Sequence, residues 1–179
     1  IEKKALIGGT TKVETRLPLP VSTDGEITAL RLDGRGEDLF IGTSQGRVLH
    51  YDLREKGSPT VMEAITVGTT PGTPITALGF LLGDRTLVAG DAAGRVSTWQ
   101  VVPPPQGGDR RLTRVYDFKP HAGPVVAISA SKRDKGFVTA DATGQLHLNY
   151  ATSGQTLLSP KGPSGDLRAV VFTPKTDGI

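Results

Sequence analysis

Three stretches of this chain repeat one another. LFIGTSQGRVLHY at 39–51 returns as LVAGDAAGRVSTW at 87–99 and as FVTADATGQLHLN at 137–149. The recurring glycines, Gly46, Gly94 and Gly144, stand 48 and 50 residues apart. Self-similarity at that period marks stacked supersecondary units, none of which can bury its own apolar face alone. Each unit is an apolar run, a tight glycine turn and a second run, which is a β-hairpin. The chain is therefore expected to be all-β, and the pattern argues against most enzyme classes.

A further strand precedes each hairpin: ITALRL at 27–32, ITALGF at 75–80 and VVAISA at 125–130, with a fourth copy, LRAVVF, at 167–172. Alanine holds the third place in all four. A small residue recurring on one strand fits a place where sheets crowd together. Weaker strands follow the hairpins at 60–67, 112–118 and 155–158. Four antiparallel strands in a unit of this length make a β-propeller blade. The whole of 1–179 reads as one partial propeller, with full blades at 27–67, 75–118 and 125–158. Partial blades fall at 1–21, with outer strands at 4–7 and 12–18, and at 167–179. Closed propellers take about 4 to 8 blades, so the expectation is a piece of a larger ring. Its open blade edges would invite pairing, and a homodimer joining two pieces into one ring of seven or eight blades would satisfy them.

Composition narrows the function. The 179 residues include 23 Gly and 13 Pro, which suits many turns and few long helices. Net charge is +3, and the basic residues are scattered, with Arg110-Arg111 and Lys132-Arg133 the densest spots. A basic stripe with interleaved aromatics is missing, so no nucleic-acid partner is expected. There is no cysteine, which excludes a disulfide framework, thiolate metal sites and a Cys nucleophile. No apolar run approaches the roughly 18 residues of a membrane span.

The hairpins resemble the WD40 repeat. Tyr51-Asp52 and Trp99-Gln100 stand at its Trp-Asp place, and His121-Ala122-Gly123-Pro124-Val125 resembles its Gly-His opening. The family ties that His to an Asp in the tight turn; the matching places here are Gln45, Ala93 and Thr143, so that buried network is expected to be absent. KKALIGG at 3–9 and LFIGTSQGRV at 39–48 are similar to the propeller domain inserted in some proteobacterial phosphate ABC-transporter permease subunits. That resemblance implies a non-catalytic domain of an inner-membrane protein, on the periplasmic side, joined to the membrane only through flanking segments. Its partners would be other transporter subunits or the substrate-binding protein. The alternatives are a free-standing WD40-like interaction scaffold, cytoplasmic included, and a quinoprotein-like ring holding a cofactor between blades.

No catalytic residue, cofactor motif or metal-ligand cluster stands out. His50, His121 and His147 lack ligand spacing and read as surface or hydrogen-bonded histidines. Asp91 and Asp141 precede the tight turns, where Asp accepts backbone N–H bonds, and Thr43 can do the same. Arg47 and Arg95 open the third strand of two units, with Gln145 in the next. Equivalent positions share one rim, and a guanidinium fork suits anionic ligands. Trp99, the single tryptophan, is expected between blades, or at a binding hot spot. Arg47, Arg95 and Trp99 are therefore the candidate ligand or partner contacts. Gly8-Gly9, Gly107-Gly108 and Pro103-Pro104-Pro105 read as loops and a stiff connector.

Overall fold

The structure is a computed structural model; it describes residues 2–4, 10–12, 19, 25–55, 59–68, 70–162 and 167–173. Among these there is no helix. A short ribbon pairs β1 (Glu2–Lys4) with β2 (Thr10–Lys12). Three four-stranded antiparallel sheets follow. The first holds β3 (Ile27–Leu32), β4 (Asp38–Thr43), β5 (Arg47–Asp52) and β6 (Thr60–Thr66). The second holds β7 (Ile75–Phe80), β8 (Thr86–Asp91), β9 (Val96–Val102) and β10 (Arg111–Asp117). The third holds β11 (Val125–Ala130), β12 (Gly136–Asp141), β13 (Leu146–Tyr150) and β14 (Gln155–Leu158). In each, sequence order is spatial order.

The hairpin turns explain the recurring glycines. Gly46, Gly94 and Gly144 lie at φ +76°, +81° and +86°, and each N–H closes a turn onto Thr43, Asp91 or Asp141. A three-residue hairpin loop needs this left-handed place, which costs glycine nothing.

A bulge explains the recurring alanines. In all three sheets the second residue of the first strand falls out of register, so Ala29 faces Gly42, Ala77 faces Gly90 and Ala127 faces Ala140. These small pairs leave room for the next sheet. Ile75 enters over Gly42, and Val125 over Gly90. The first strands β3, β7 and β11 thus stand side by side as an inner file.

Between sheets the contact is through side chains. One seam buries Phe40, Val48, Ile75, Phe80, Leu87 and Trp99, and the next buries Val88, Val96, Phe118, Val125 and Phe137. Phe40 meets Phe80 edge-on at 5.4 Å, and Phe118 meets Phe137 likewise at 5.0 Å.

The outer strands expected at 4–7 and 12–18 fall mostly on residues 5–7 and 13–18, outside the described residues; the ribbon strands Glu2–Lys4 and Thr10–Lys12 meet them at Lys4 and Lys12. One strand expectation is corrected. The fourth copy at 167–172 is not a strand. It lies beside β11, with the Phe172 N–H donating to Ser129 Oγ at 3.0 Å. In this fold a first strand receives its ladder only from the second strand of its own sheet, and no such partner is among the described residues. Gly8-Gly9 also lie outside them.

Candidate functional site

The turn carboxylates are structural acceptors, as their spacing suggests. Asp91 Oδ1 accepts the N–H groups of Ala93 and Arg95, both at 2.9 Å. Asp141 Oδ1 accepts those of Thr143 and Gln145 at 2.9 Å and the Thr143 hydroxyl at 2.7 Å. Thr43 Oγ1 accepts Arg47 N–H at 3.3 Å, a weaker form of the same device. Burial opposes the Asp141 charge, but these hydrogen bonds outweigh it and hold its pKa below the ordinary carboxylate value.

Arg47, Arg95 and Gln145 therefore occupy equivalent places just after three turns. Arg95 folds back: its Nε donates to Asp91 Oδ2 at 2.8 Å. Trp99 lies in the first seam, nearly buried, and its Nε1 donates to Ser97 Oγ at 2.8 Å. The Arg114 guanidinium stacks over its ring at 4.8 Å. Trp99 and Arg95 thus belong to one sheet, Arg47 to its neighbour, and the structure does not gather the three around one point.

In the third sheet a buried polar network surrounds His121, with the Asp141 carboxylate beside it. His121 Nε2 lies 2.8 Å from Thr139 Oγ1, and its Nδ1 lies 3.5 Å from Asp141 Oδ2. Asn149, at the Trp place of the repeat, donates to Thr139 Oγ1 at 3.1 Å and accepts from Thr156 Oγ1 at 2.7 Å. The carboxylate comes from two residues before the family's place, and for that reason the sequence pattern concealed it. His147 stacks on His121 with ring centroids 3.9 Å apart. Its Nδ1 lies 3.2 Å from the Lys119 carbonyl, so Nδ1 carries the proton and donates. Burial and the neighbouring imidazole push the His121 pKa down to about 4, against the pull of Asp141. Burial likewise lowers His147.

His50 is the third buried histidine. Its ring stacks on Phe40 at 4.3 Å, and Nε2 donates to Asp38 Oδ1 at 2.8 Å. Asp38, Asp33 and Glu37 form a three-carboxylate group with ligand atoms within 4.8 Å of one another. No sequence motif announced it, because the turn between β3 and β4 assembles it. Among the described residues these are the ones that could hold a cation. Their charge is already met from within: Arg54 reaches Asp38 at 2.9 Å, Asp52 at 2.7 Å and Glu37 at 3.5 Å. Asp33 Oδ1 accepts the N–H groups of Glu37 and Asp38.

This group borders a cleft of about 650 Å³ between the first two sheets. Phe40, His50, Phe80, Trp99 and Leu112 line it on the inside; Arg35, Met62, Asp84, Arg85 and Arg110 line it where it meets water. Side chains cross the seam here: Asp84 Oδ2 accepts Gly34 N–H at 3.1 Å, and Glu63 accepts Leu112 N–H.

No family model matches the sequence, and no curated protein sequence matches it. Solved structures do. The computationally designed Ika4 protein superposes with a TM-score of 0.69 at 18% identity, over 90% of this chain and 88% of its own. The Cps50 (Swd1) β-propeller domain of Myceliophteria thermophila gives 0.65 at 16%, over 90% of this chain and 51% of its own. The RRP9 WD40 repeats give 0.65 at 14%, over 81% and 41%. The fold is that of part of a β-propeller, similar to WD40-repeat domains. The chain spans about half the length of the Cps50 domain and less of RRP9. None of these three neighbours is described as a transporter, so the comparisons lend the permease resemblance no support.

Proposed function

We propose that this WD40-type arc is a protein-binding scaffold rather than an enzyme. The observation that carries the reading is the cleft between the first two sheets: broad, open to water, with the aromatic rings of Phe40, Phe80 and Trp99 set among charged side chains of both signs, Arg35, Arg85 and Arg110 included. Interface cores favour aromatic residues, Met and Arg. Rigid sheets holding variable loops suit such a surface. Among the described residues Asp91 and Asp141 hold turns, and His50, His121 and His147 are hydrogen-bonded and stacked within the sheets. The test is affinity capture from the native cell extract with the unaltered chain and with Arg35→Glu/Arg85→Glu. A protein retained by the first and lost by the second supports the reading. Identical captures from both would overturn the cleft as its site.

A finer reading places the scaffold in a phosphate-transport permease, on the periplasmic side of the inner membrane. The similarity of 3–9 and 39–48 to that family supports it. An antibody against this chain would find its antigen in the membrane pellet if so. An antigen found wholly in the supernatant would sink that assignment and leave the scaffold free-standing.

A further inference from the structure

The inner file of the arc exposes apolar residues on two faces that match each other. Within the file, each first strand lies against the next: β3 beside β7, β7 beside β11, and the segment 167–173 beside β11. The contact has fixed parts. The first residue of the following strand inserts over a small pair, as Ile75 and Val125 do, and both are fully buried. Further along, Gly79 of β7 lies directly against Ile128 of β11, so close that a Cβ on Gly79 would come within 2.9 Å of it.

At the leading end the same parts are exposed. Ile27 holds the place of Ile75 and Val125 and is 50% exposed; Leu30 holds the place of Ile128 and is 58% exposed. At the trailing end, 167–172 repeats the pattern of β3, and Val171 falls at the place of Gly79. It is 72% exposed. Arg31 of β3 stands at that place too, so the site accepts more than glycine. Leu30 and Val171 are thus the two halves of one contact, and both face water, so they do not meet within one chain.

We propose that two copies of this chain close a single ring, residues 167–172 of each docking on β3 of the other. The contact is two-fold symmetric and follows the register of the β7–β11 seam, with Val171 and Leu30 in the places of Gly79 and Ile128. Eight inner strands result, within the range of closed propellers. The occupant is a second copy because this chain itself carries the matching half. This inference goes beyond the scaffold reading and does not depend on the cleft.

The test is the mass in solution by sedimentation equilibrium and light scattering. The expected species has twice the 18.8 kDa chain mass. Leu30→Glu should return it to monomer with an unchanged circular dichroism spectrum, whereas Leu157→Glu, on the exposed strand β14, should leave the dimer intact. Because the chain has no cysteine, two single-cysteine variants read the geometry. Under oxidation, Leu30→Cys and Val171→Cys should each stay unlinked alone and should form a covalent dimer when mixed. A monomer at every concentration, or Leu30→Cys linking to itself, would overturn the proposal. Failure here leaves the capture assay with the cleft variants standing, and the reverse also holds.

Discussion

Gly42 lies directly under Ile75. A Cβ built on Gly42 would sit 2.7 Å from Ile75 Cγ2 and 3.2 Å from the Ala29 methyl. The pair fixes how closely the first two sheets approach, and Gly90 repeats it under Val125 at 2.5 Å. Gly42→Ala should therefore destabilise the fold by about 1–3 kcal/mol through overpacking. The cost should shrink in an Ile75→Ala background, where the space is vacated. Urea midpoints of the two single variants and the double variant measure this coupling. Strictly additive values would show that Gly42 is not held by that contact.

Gly94 and Gly36 separate backbone strain from crowding. Both have positive φ, +81° and +72°, but a Cβ on Gly94 would lie 2.4 Å from the His121 carbonyl oxygen, whereas Gly36 has open space. Gly36→Ala should cost about 1 kcal/mol, the strain alone. Gly94→Ala should cost clearly more, because the His121 N–H that donates to Gly94 at 2.8 Å moves with that carbonyl. Thermal denaturation of the two variants gives the comparison, and equal losses would refute the crowding argument.

Asp141 holds one turn and one loop together. Besides the turn bonds, its Oδ2 accepts Gly123 N–H at 3.3 Å. Asp141→Ala should cost at least about 2 kcal/mol, since it strands buried donors. Its lowered pKa sets the sign of the pH effect. The stabilisation is present above the ordinary carboxylate pKa and is lost as pH falls through the lower folded value. An Asp141→Asn variant keeps an acceptor but should lose that acid-limb dependence; an unchanged acid limb would count against it.

The stacked histidines act in a higher window. His121 titrates at about 4 in the fold against 6.5 ordinarily, and His147 is shifted in the same direction. Between those values the unfolded chain takes up protons that the folded chain refuses. Stability is full above pH 6.5 and should fall as pH drops toward 4. Lys119 and Asp141 are the other charged groups acting on the pair, and they act in opposite directions. His147→Phe keeps a ring in the stack, removes one proton site and should flatten the slope. Urea midpoints across the window test this, and an unchanged slope would rule the pair out as its source.

The sheets were legible because their signals are local. The glycine at each turn, the alanine at each crowded place and the apolar runs name the strands to within a residue or so. Weak fourth strands could also be read, since β14 spans Gln155–Leu158 as expected. What the sequence hid was assembly across distance. The Asp141 carboxylate reaches His121 from two residues outside the familiar motif, and the cleft gathers Asp33 and Trp99 from different sheets. Arg95 looked like a ligand fork on a rim; its partner Asp91, four residues earlier, is one that residue type alone does not reveal. The segment 167–172 carries a strand pattern without a strand, because pairing needs a neighbour as well as a propensity.

Among the described residues every strand ladder stays within its own sheet, and side chains and loops cross the seams. Inserting or deleting one whole unit would therefore leave every remaining ladder undisturbed. A gene encoding such a chain can lengthen or shorten by about fifty codons without breaking any ladder that remains, provided the cut falls in a seam.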